Sequence, residues 1–285
     1  MTDERFRLVG PDPARAAPPP PRNARPYGAR PPYLALAVLA VIVLGCLFCD
    51  AFLPYDPSYM DLYHANTPPC AAYWFGTDTM GRDLFSMIWH GGRLSLLIGA
   101  LSALLSTALA VIYGTASALA PAWLGRLLSR LLEILLSIPS LLLMLLLQAA
   151  LGEGTVVSLS LVLGVTGWMS IAKVVRAEVR RLRGSGYIEA ARAMGAGFPH
   201  LLLRHFLPNL FPTIHFMIVM NVRGAILAES TLSFLGIGLP LETITWGSML
   251  SLAGQNLLSG AWWTTLIPGG FLAATLLALT RCVSR

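Results

Sequence analysis

The chain has 285 residues, of which 55% are hydrophobic and only 12% are charged, and its mean hydropathy is +0.67. Soluble domains usually carry about 25% charged residues, so this composition argues against a soluble enzyme and indicates an integral membrane protein. The net charge of +6 comes almost entirely from arginine. Because cytoplasmic loops of membrane proteins collect basic residues, we do not read this charge as a sign of nucleic-acid binding.

Residues 1–32 form a tail with nine prolines and six arginines. A segment of this composition cannot bury enough apolar surface to fold, so we predict a disordered cytoplasmic tail. The tail is too long and too polar for a secretory signal peptide. We therefore expect the apolar run that follows it to remain as a membrane anchor.

Six apolar runs follow the tail, each close to the roughly 20 residues with which an α-helix crosses the hydrocarbon layer. They cover residues 33–53, 94–120, 134–151, 155–172, 208–228 and 261–282. The second run is rich in serine, glycine and alanine, which predicts close packing on protein neighbours, and Pro139 predicts a kink near the start of the third. The prediction is an all-α integral membrane protein with six transmembrane helices. The first span and an external loop occupy 33–93, and a transmembrane domain occupies 94–282.

Basic residues are distributed very unevenly between the predicted loops. With the N-terminus inside, 17 of the 20 lysines and arginines fall in segments that would face the cytoplasm. The opposite orientation would invert this bias, so the positive-inside rule predicts that both termini are cytoplasmic.

Ligand-forming and catalytic residues follow no recognisable pattern in this chain. Cys46 and Cys49 are spaced as a CxxC pair, but they lie in an apolar run with no further cysteine or histidine at ligand spacing along the chain, so we predict neither a metal site nor redox chemistry. Lys173 is the only lysine and lacks the glycines and the serine or threonine of a phosphate-binding loop. We predict no catalytic residues and no bound cofactor.

The segment 173–206, between the fourth and fifth spans, is patterned as two short helices. Tyr187, Ala190, Ala191 and Met194 share one face of the first helix, which is predicted to stop at Gly195. A second short helix is predicted from Pro199 to Phe206. The first helix could lie on lipid headgroups or enter a groove on a soluble partner. Its small alanines favour the partner.

This segment also resembles a known motif. Glu189-Ala190-Ala191, followed by Gly195 and Leu207-Pro208, is similar to the "EAA" loop of binding-protein-dependent ABC transporter permeases of the type I importer class. The resemblance implies a coupling helix that docks on a separate ATP-binding subunit. The implied contact residues are Tyr187, Glu189, Ala190, Ala191, Met194 and Gly195.

Two further stretches resemble the dipeptide, oligopeptide and nickel branch of the same superfamily. One runs from Gly76-Thr77-Asp78 through Gly81-Arg82-Asp83 to Gly92-Arg93-Leu94-Ser95, and the other runs from Glu229 through residues 232–238 to Trp246-Gly247. Asp78, Arg82 and Asp83 could touch a delivery protein or form a locally satisfied turn.

Asn221, Arg223 and Glu229 are the polar residues that stand out near the fifth span. They could line or gate a pathway, because a charge within a span is costly and usually faces a cavity or a counter-charge. Alternatively, Arg223 and Glu229 could form a structural pair near a helix end, where arginine snorkels.

The resemblance implies a non-catalytic permease subunit in a bacterial cytoplasmic (inner) membrane. Its implied partners are a second homologous permease, two ATP-binding subunits that hold ATP and Mg²⁺, an extracytoplasmic substrate-binding protein and membrane lipid. Peptides are the expected cargo, with nickel or metal chelates as the alternative. A stand-alone secondary transporter is a competing hypothesis, but we find no inverted repeat or charged, broken span that would support it. An intramembrane enzyme is also conceivable but lacks candidate catalytic groups.

Overall fold

The computed structural model describes residues 33–152, 154–197, 200, 204, 206–240, 242–255 and 260–283. Within these residues the protein is all-helical, which confirms the predicted all-α class. The helices are α1 (Tyr33–Leu47), α2 (Leu84–Leu119), α3 (Ala122–Ser137), α4 (Ser140–Leu151), α5 (Val156–Arg183), α6 (Gly186–Ala193), α7 (Leu207–Phe234), α8 (Trp246–Gln255) and α9 (Trp263–Val283). The predicted tail 1–32 and most of the short helix predicted from Pro199 lie outside the described residues.

The helices α2 and α5 lie side by side in a parallel arrangement. Leu105 of α2 packs on Gly164 of α5, and further along both helices Gly114 packs on Ala172, where an added Cβ would lie 2.8 Å from the Ala172 carbonyl oxygen. The small α2 residues that predicted this packing are all buried: Ser95, Gly99, Ser102, Ser106, Gly114 and Ser117. The prediction of a second span packed on protein neighbours is therefore confirmed.

Helix α7 runs antiparallel to α2 and joins the α2–α5 pair. Its residue Asn221 donates a hydrogen bond to Ser106 in the middle of α2, and Glu229, further along α7, accepts one from Ser95 near the start of α2. Only 17% of the most apolar 18-residue window of α7 is buried, compared with 44% for α2 and 50% for α5. One long face of α7 is therefore not covered by the described part of the chain.

Four of the described helices, α2, α5, α7 and α9, are long and apolar enough to cross a membrane, and a fifth crossing is possible if α3 and α4 count as one span. These two helices meet at an angle of 85°. The break lies at Pro139, where the ring removes a backbone donor and Ile138 adopts an extended conformation. Helix α1 is apolar but has only 15 residues. The protein is thus a membrane protein, and the predicted count of six spans is not confirmed.

Helix α2 begins ten residues before the predicted span. Asp83 caps it by accepting a hydrogen bond from the Ser86 backbone at 2.9 Å, as N-terminal caps commonly do. Residues 84–93 are consequently helical rather than part of a loop, and the predicted boundary between residues 93 and 94 falls inside α2. Helix α5 continues eleven residues beyond the predicted apolar run, through the basic stretch to Arg183.

The bundle has two chemically different ends. At the first, which we call the basic end, Arg183 of α5 donates a hydrogen bond to the Ala118 carbonyl of α2 at 3.4 Å. This end carries Arg126, Arg130, Arg180, Arg181 and Arg183. At the opposite end, which we call the loop end, the segment 48–83 meets the starts of α8 and α9. There the Trp263 indole donates to the Thr77 carbonyl at 3.1 Å.

Candidate functional site

The short helix α6 is anchored at the basic end by two apolar side chains. Ile188 and Ala191, one turn apart, are buried in a cluster that also contains Leu182 of α5 and Phe206 and Leu210 near the start of α7. Helix α6 thus shares one packed core with the ends of α5 and α7.

The far end of α6 is open to solvent. Met194 is 82% exposed, and Gly195 has a left-handed backbone (φ 86°) with no atom within 4 Å of an added Cβ. Glycine is favoured after a helix for this conformation, and the stop predicted at Gly195 is confirmed. Both residues are therefore exposed on the surface of the described part of the chain.

The residues predicted to share one face of α6 do not share one environment. Ala191 is buried in the chain's own core, whereas Met194 is exposed. Ala191 therefore supports the helix from within and is not itself a contact surface. The side chains of Tyr187, Glu189 and Ala190 lie outside the described part of the structure.

Several of the basic residues near α6 are structural. The buried Arg176 donates a hydrogen bond to the Gly125 carbonyl of α3 at 2.6 Å, and Arg181 pairs with Glu178 one turn earlier on α5. The Arg176 contact ties the start of α3 to α5, whereas the Arg181–Glu178 pair lies within α5.

In the middle of α7, the two polar candidates differ in their surroundings. Asn221 is hydrogen-bonded to Ser106, and its amide oxygen lies 3.1 Å from a Cβ added to Gly167 of α5. It therefore bridges α2 and α5. Arg223 is half-buried, and its guanidinium lies 4.0 Å from the sulfur of Met220, one turn earlier on the same helix. In contrast to Asn221, Arg223 thus contacts its own helix.

Glu229 lies near the C-terminal end of α7 and is fully buried. Its carboxylate accepts hydrogen bonds from four hydroxyl groups, on Thr245 (2.8 Å), Ser233 (3.0 Å), Ser95 (3.3 Å) and Ser230 (3.3 Å). These donors replace the water that a buried carboxylate loses. In this conformation Glu229 lines no open pathway.

The Glu229 cluster joins α7 to α2 and to the start of α8. The Ser95 hydroxyl, besides donating to Glu229, accepts a hydrogen bond from the Trp246 backbone at 3.2 Å. A Cβ added to Gly247 would lie 3.0 Å from the Glu229 carboxylate. The two motif stretches that are far apart in sequence thus meet at one carboxylate.

No ion pair joins Arg223 to Glu229 within the part of the chain that the structure describes. Their separation of six residues places them about 120° apart around an α-helix. The structural pair considered from the sequence is therefore absent. Glu229 is held by hydroxyls instead, and sequence reasoning missed Thr245 and Ser233 as its partners because an uncharged hydroxyl gives no sign of which carboxylate it contacts.

In the loop motif, Asp78 and Arg82 form a buried ion pair. The Arg82 Nε and Nη2 atoms lie 2.8 and 2.7 Å from Asp78 Oδ2, and Asp78 Oδ1 accepts from the Arg82 backbone at 2.8 Å. Asp83 is occupied as the cap of α2. All three residues are buried, so they form a locally satisfied turn and are not free to contact a delivery protein.

The same loop is closed by two further contacts. Gly81 has a left-handed φ of 75° and packs directly on the Asp61 backbone. The His64 ring nitrogen lies 2.7 Å from Asp61 Oδ2, and this hydrogen bond lowers the pKa of the Asp61 carboxyl. The loop is therefore a compact unit seated on the start of α2.

Comparison with known proteins gives a consistent identification. Residues 106–284, more than half of the chain, match the family described as "Binding-protein-dependent transport system inner membrane component". The chain is 34% identical over 243 residues to the oligopeptide transport system permease protein OppC of Bacillus subtilis, covering 85% of this chain and 79% of OppC.

Two further relatives are permeases as well. The dipeptide transport system permease protein DppC of Bacillus subtilis is 34% identical over 248 residues, covering 85% of this chain and 77% of that protein. The di/tripeptide transport system permease protein DppC of Pseudomonas aeruginosa is 34% identical over 250 residues, covering 86% and 82%. The chain therefore belongs to the family of binding-protein-dependent transport system inner membrane components, and it is a membrane permease subunit of a transport system.

Proposed function

We propose that this permease forms half of the translocation pathway of an ATP-driven importer in a bacterial cytoplasmic membrane, and that its cargo is peptides. The similarity to permeases for oligopeptides, dipeptides and di/tripeptides extends over most of the chain, which supports this cargo. The proposed partners are a second homologous permease, two ATP-binding subunits and an extracytoplasmic substrate-binding protein. ATP and Mg²⁺ would be held by the ATP-binding subunits.

The seating of α6 is the observation that carries the proposal. Its inner side is locked into the core through Ile188 and Ala191, while Met194 and Gly195 beyond it are exposed. A partner that grips this end can therefore move α5 and α7 as one body. This is the mechanical arrangement that a subunit without an energy source of its own requires.

The uncovered face of α7 supports the proposed second permease. This helix carries Asn221 and Arg223, and Gly224 on it is exposed with no atom within 4 Å of an added Cβ. Small residues permit close approach of a second helix within a membrane. We place the pathway along this face, with Arg223 as the candidate residue lining it.

The orientation follows from the two ends of the bundle. The arginines gather at the end that carries α6, so this end should face the cytoplasm. Six crossings then result if α1 and the bent α3–α4 pair each count as one. ATP-driven closure of the partner subunits would push α6 and shift the bundle between two packed states.

Replacement of Gly195 by leucine tests the coupling surface. In proteoliposomes that contain the complete transporter, Gly195→Leu should reduce ATP-dependent peptide uptake by at least tenfold, because the new side chain occupies the contact surface. The matched control is Gly152→Leu, since Gly152 has a similar φ of 81° and equally open surroundings but lies between α4 and α5 away from α6. The control should retain uptake.

Equal uptake by Gly195→Leu and wild type would contradict the docking proposal. Uptake by the purified chain alone, driven by an ion gradient, would instead establish a secondary transporter. ATP-dependent uptake of nickel chelates in place of peptides would retain the coupling mechanism and change the cargo.

A further inference from the structure

A cluster of three potential metal ligands lies at the loop end, between the end of α1 and α2. The Cys49 sulfur, a carboxylate oxygen of Asp50 and a ring nitrogen of His90 all lie within 4.8 Å of one another. Cys49 and Asp50 belong to the 3-10 turn that follows α1, and His90 belongs to α2. The sequence analysis predicted no metal here, because His90 is distant along the chain and only the packing of α1 on α2 brings it close.

The geometry and burial of the cluster suit a transition-metal ion. A tetrahedral zinc ion with ligands at about 2.0–2.3 Å would hold its ligand atoms roughly 3.3–3.8 Å apart. Displacements of the ligand atoms by about 1 Å, through side-chain rotation, would bring them to these distances. Cys49 is fully buried, His90 half-buried and Asp50 exposed. The exposed carboxylate leaves a route for an ion from solvent to the buried sulfur.

The surroundings hold the Asp50 carboxylate in place. Arg93 lies 3.0 Å from Asp50 Oδ2, whereas the Cys49 sulfur lies 3.6 Å from Asp50 Oδ1. One carboxylate oxygen is thus anchored by the arginine, and the other faces the thiol. Hydrogen bonds of this kind to a ligating carboxylate orient metal ligands. On the other side of the turn, Phe52 packs edge-on against Trp89 with ring centroids 5.8 Å apart.

From this arrangement we infer that Cys49, Asp50 and His90 form a binding site for a thiophilic divalent transition-metal ion of the Zn²⁺ class. A thiolate, an imidazole and one carboxylate favour Zn²⁺ over Mg²⁺ or Ca²⁺, which prefer oxygen ligands. Three protein ligands leave a fourth position for water or an external ligand. A bound ion would cross-link the end of α1 to α2, and the site does not depend on the proposed cargo or partners.

Metal titration of the purified, detergent-solubilised full chain without a polyhistidine tag tests the site. Zn²⁺ binding is measured by calorimetry, and Co²⁺ serves as a spectroscopic substitute that shows a sulfur-to-cobalt charge-transfer band. We expect one ion per chain, with the band present. Cys49→Ser should abolish the band, and His90→Gln and Asp50→Asn should each weaken Zn²⁺ affinity by at least about tenfold.

Two matched controls lie in the same loop region but outside the cluster. Cys70→Ser removes an exposed free cysteine, and His64→Gln removes an exposed histidine. Both should bind Zn²⁺ as wild type does. Loss of the cobalt band in Cys70→Ser, or unchanged Zn²⁺ affinity in both His90→Gln and Asp50→Asn, would overturn the inference. The latter two variants change side chains that are not fully buried, so they keep the test decisive if Cys49→Ser folds poorly.

Discussion

At the scale of single residues, the loop end of the bundle depends on buried charged groups that have partners within the chain. Asp78 and Arg82 satisfy each other, and Glu229 is surrounded by hydroxyls. Such groups are costly to bury alone and stable when every partner is present. They explain why the two motif stretches carry acidic residues without offering an exposed binding surface.

Replacement of Glu229 by leucine should destabilise the permease more than its replacement by the neutral amide glutamine. Glu229→Leu leaves four buried hydroxyls without their acceptor, and at about 1–3 kcal/mol for each stranded group we expect a loss of at least about 3 kcal/mol. Glu229→Gln keeps an acceptor oxygen of the same reach and should lose less. Thermal unfolding in detergent measures both, and the exposed Glu242→Gln is the control. Equal melting temperatures for Glu229→Leu and the control would contradict the structural role.

At the scale of elements, the bundle is organised by the close parallel contact of α2 and α5. Glycines and serines at this contact allow the backbones to approach, since lipid supplies no hydrophobic drive for helix association. The α3–α4 pair differs from these two long helices because a proline interrupts its apolar run. Neither α3 nor α4 alone is long enough to be a conventional span.

A branched side chain at the α2–α5 contact should separate the helices. At Gly114 an added Cβ already lies 2.8 Å from the Ala172 backbone oxygen, so Gly114→Val requires a backbone shift that we expect to cost about 1–3 kcal/mol. The measurement is the thermal unfolding midpoint of the purified protein. Gly270→Val on α9 is the control, because no atom lies within 4 Å of an added Cβ there, and it should leave the midpoint nearly unchanged. Equal effects of the two substitutions would contradict the observed packing.

At the scale of the whole molecule, the two ends of the bundle hold different structural elements. The basic end holds α6 on the shared core of α2, α5 and α7, and the loop end closes α8, α9 and the segment 48–83 over the start of α2. Helix α2, which is 36 residues long, connects the two ends. Helices α2 and α7 thus connect the end of the bundle that carries α6 with the Glu229 cluster.

The proposed orientation predicts which cysteines an impermeant thiol reagent reaches. Cys70 is exposed at the loop end, so it should be labelled in intact cells whose outer barrier has been opened. In a background that carries both Cys70→Ser and Cys282→Ser, Met194→Cys should be labelled only after the cytoplasmic membrane is broken, because Met194 lies at the basic end. Labelling in the reverse order would invert the topology. The double variant without Met194→Cys retains only the buried Cys46 and Cys49 and is the unlabelled control.

The amino-acid sequence by itself determined the membrane class, the basic asymmetry and the family motifs. Hydropathy and charge are sums over neighbouring residues, so the long apolar helices could be predicted locally. The proline break and the stop at Gly195 could be predicted as well, because each follows from the backbone preference of a single residue. The boundaries were less accurate. The start of α2 was placed ten residues late because the cap at Asp83 lies in a polar stretch that reads as a loop.

Only the tertiary structure decided which polar residues meet. The four hydroxyls around Glu229 come from three separate parts of the chain, and His90 approaches Cys49 through the packing of α1 on α2. The burial of Ala191 likewise depends on how α6 rests on α5 and α7. Contacts of this kind are set by the packing of whole helices, which no local pattern of residues encodes.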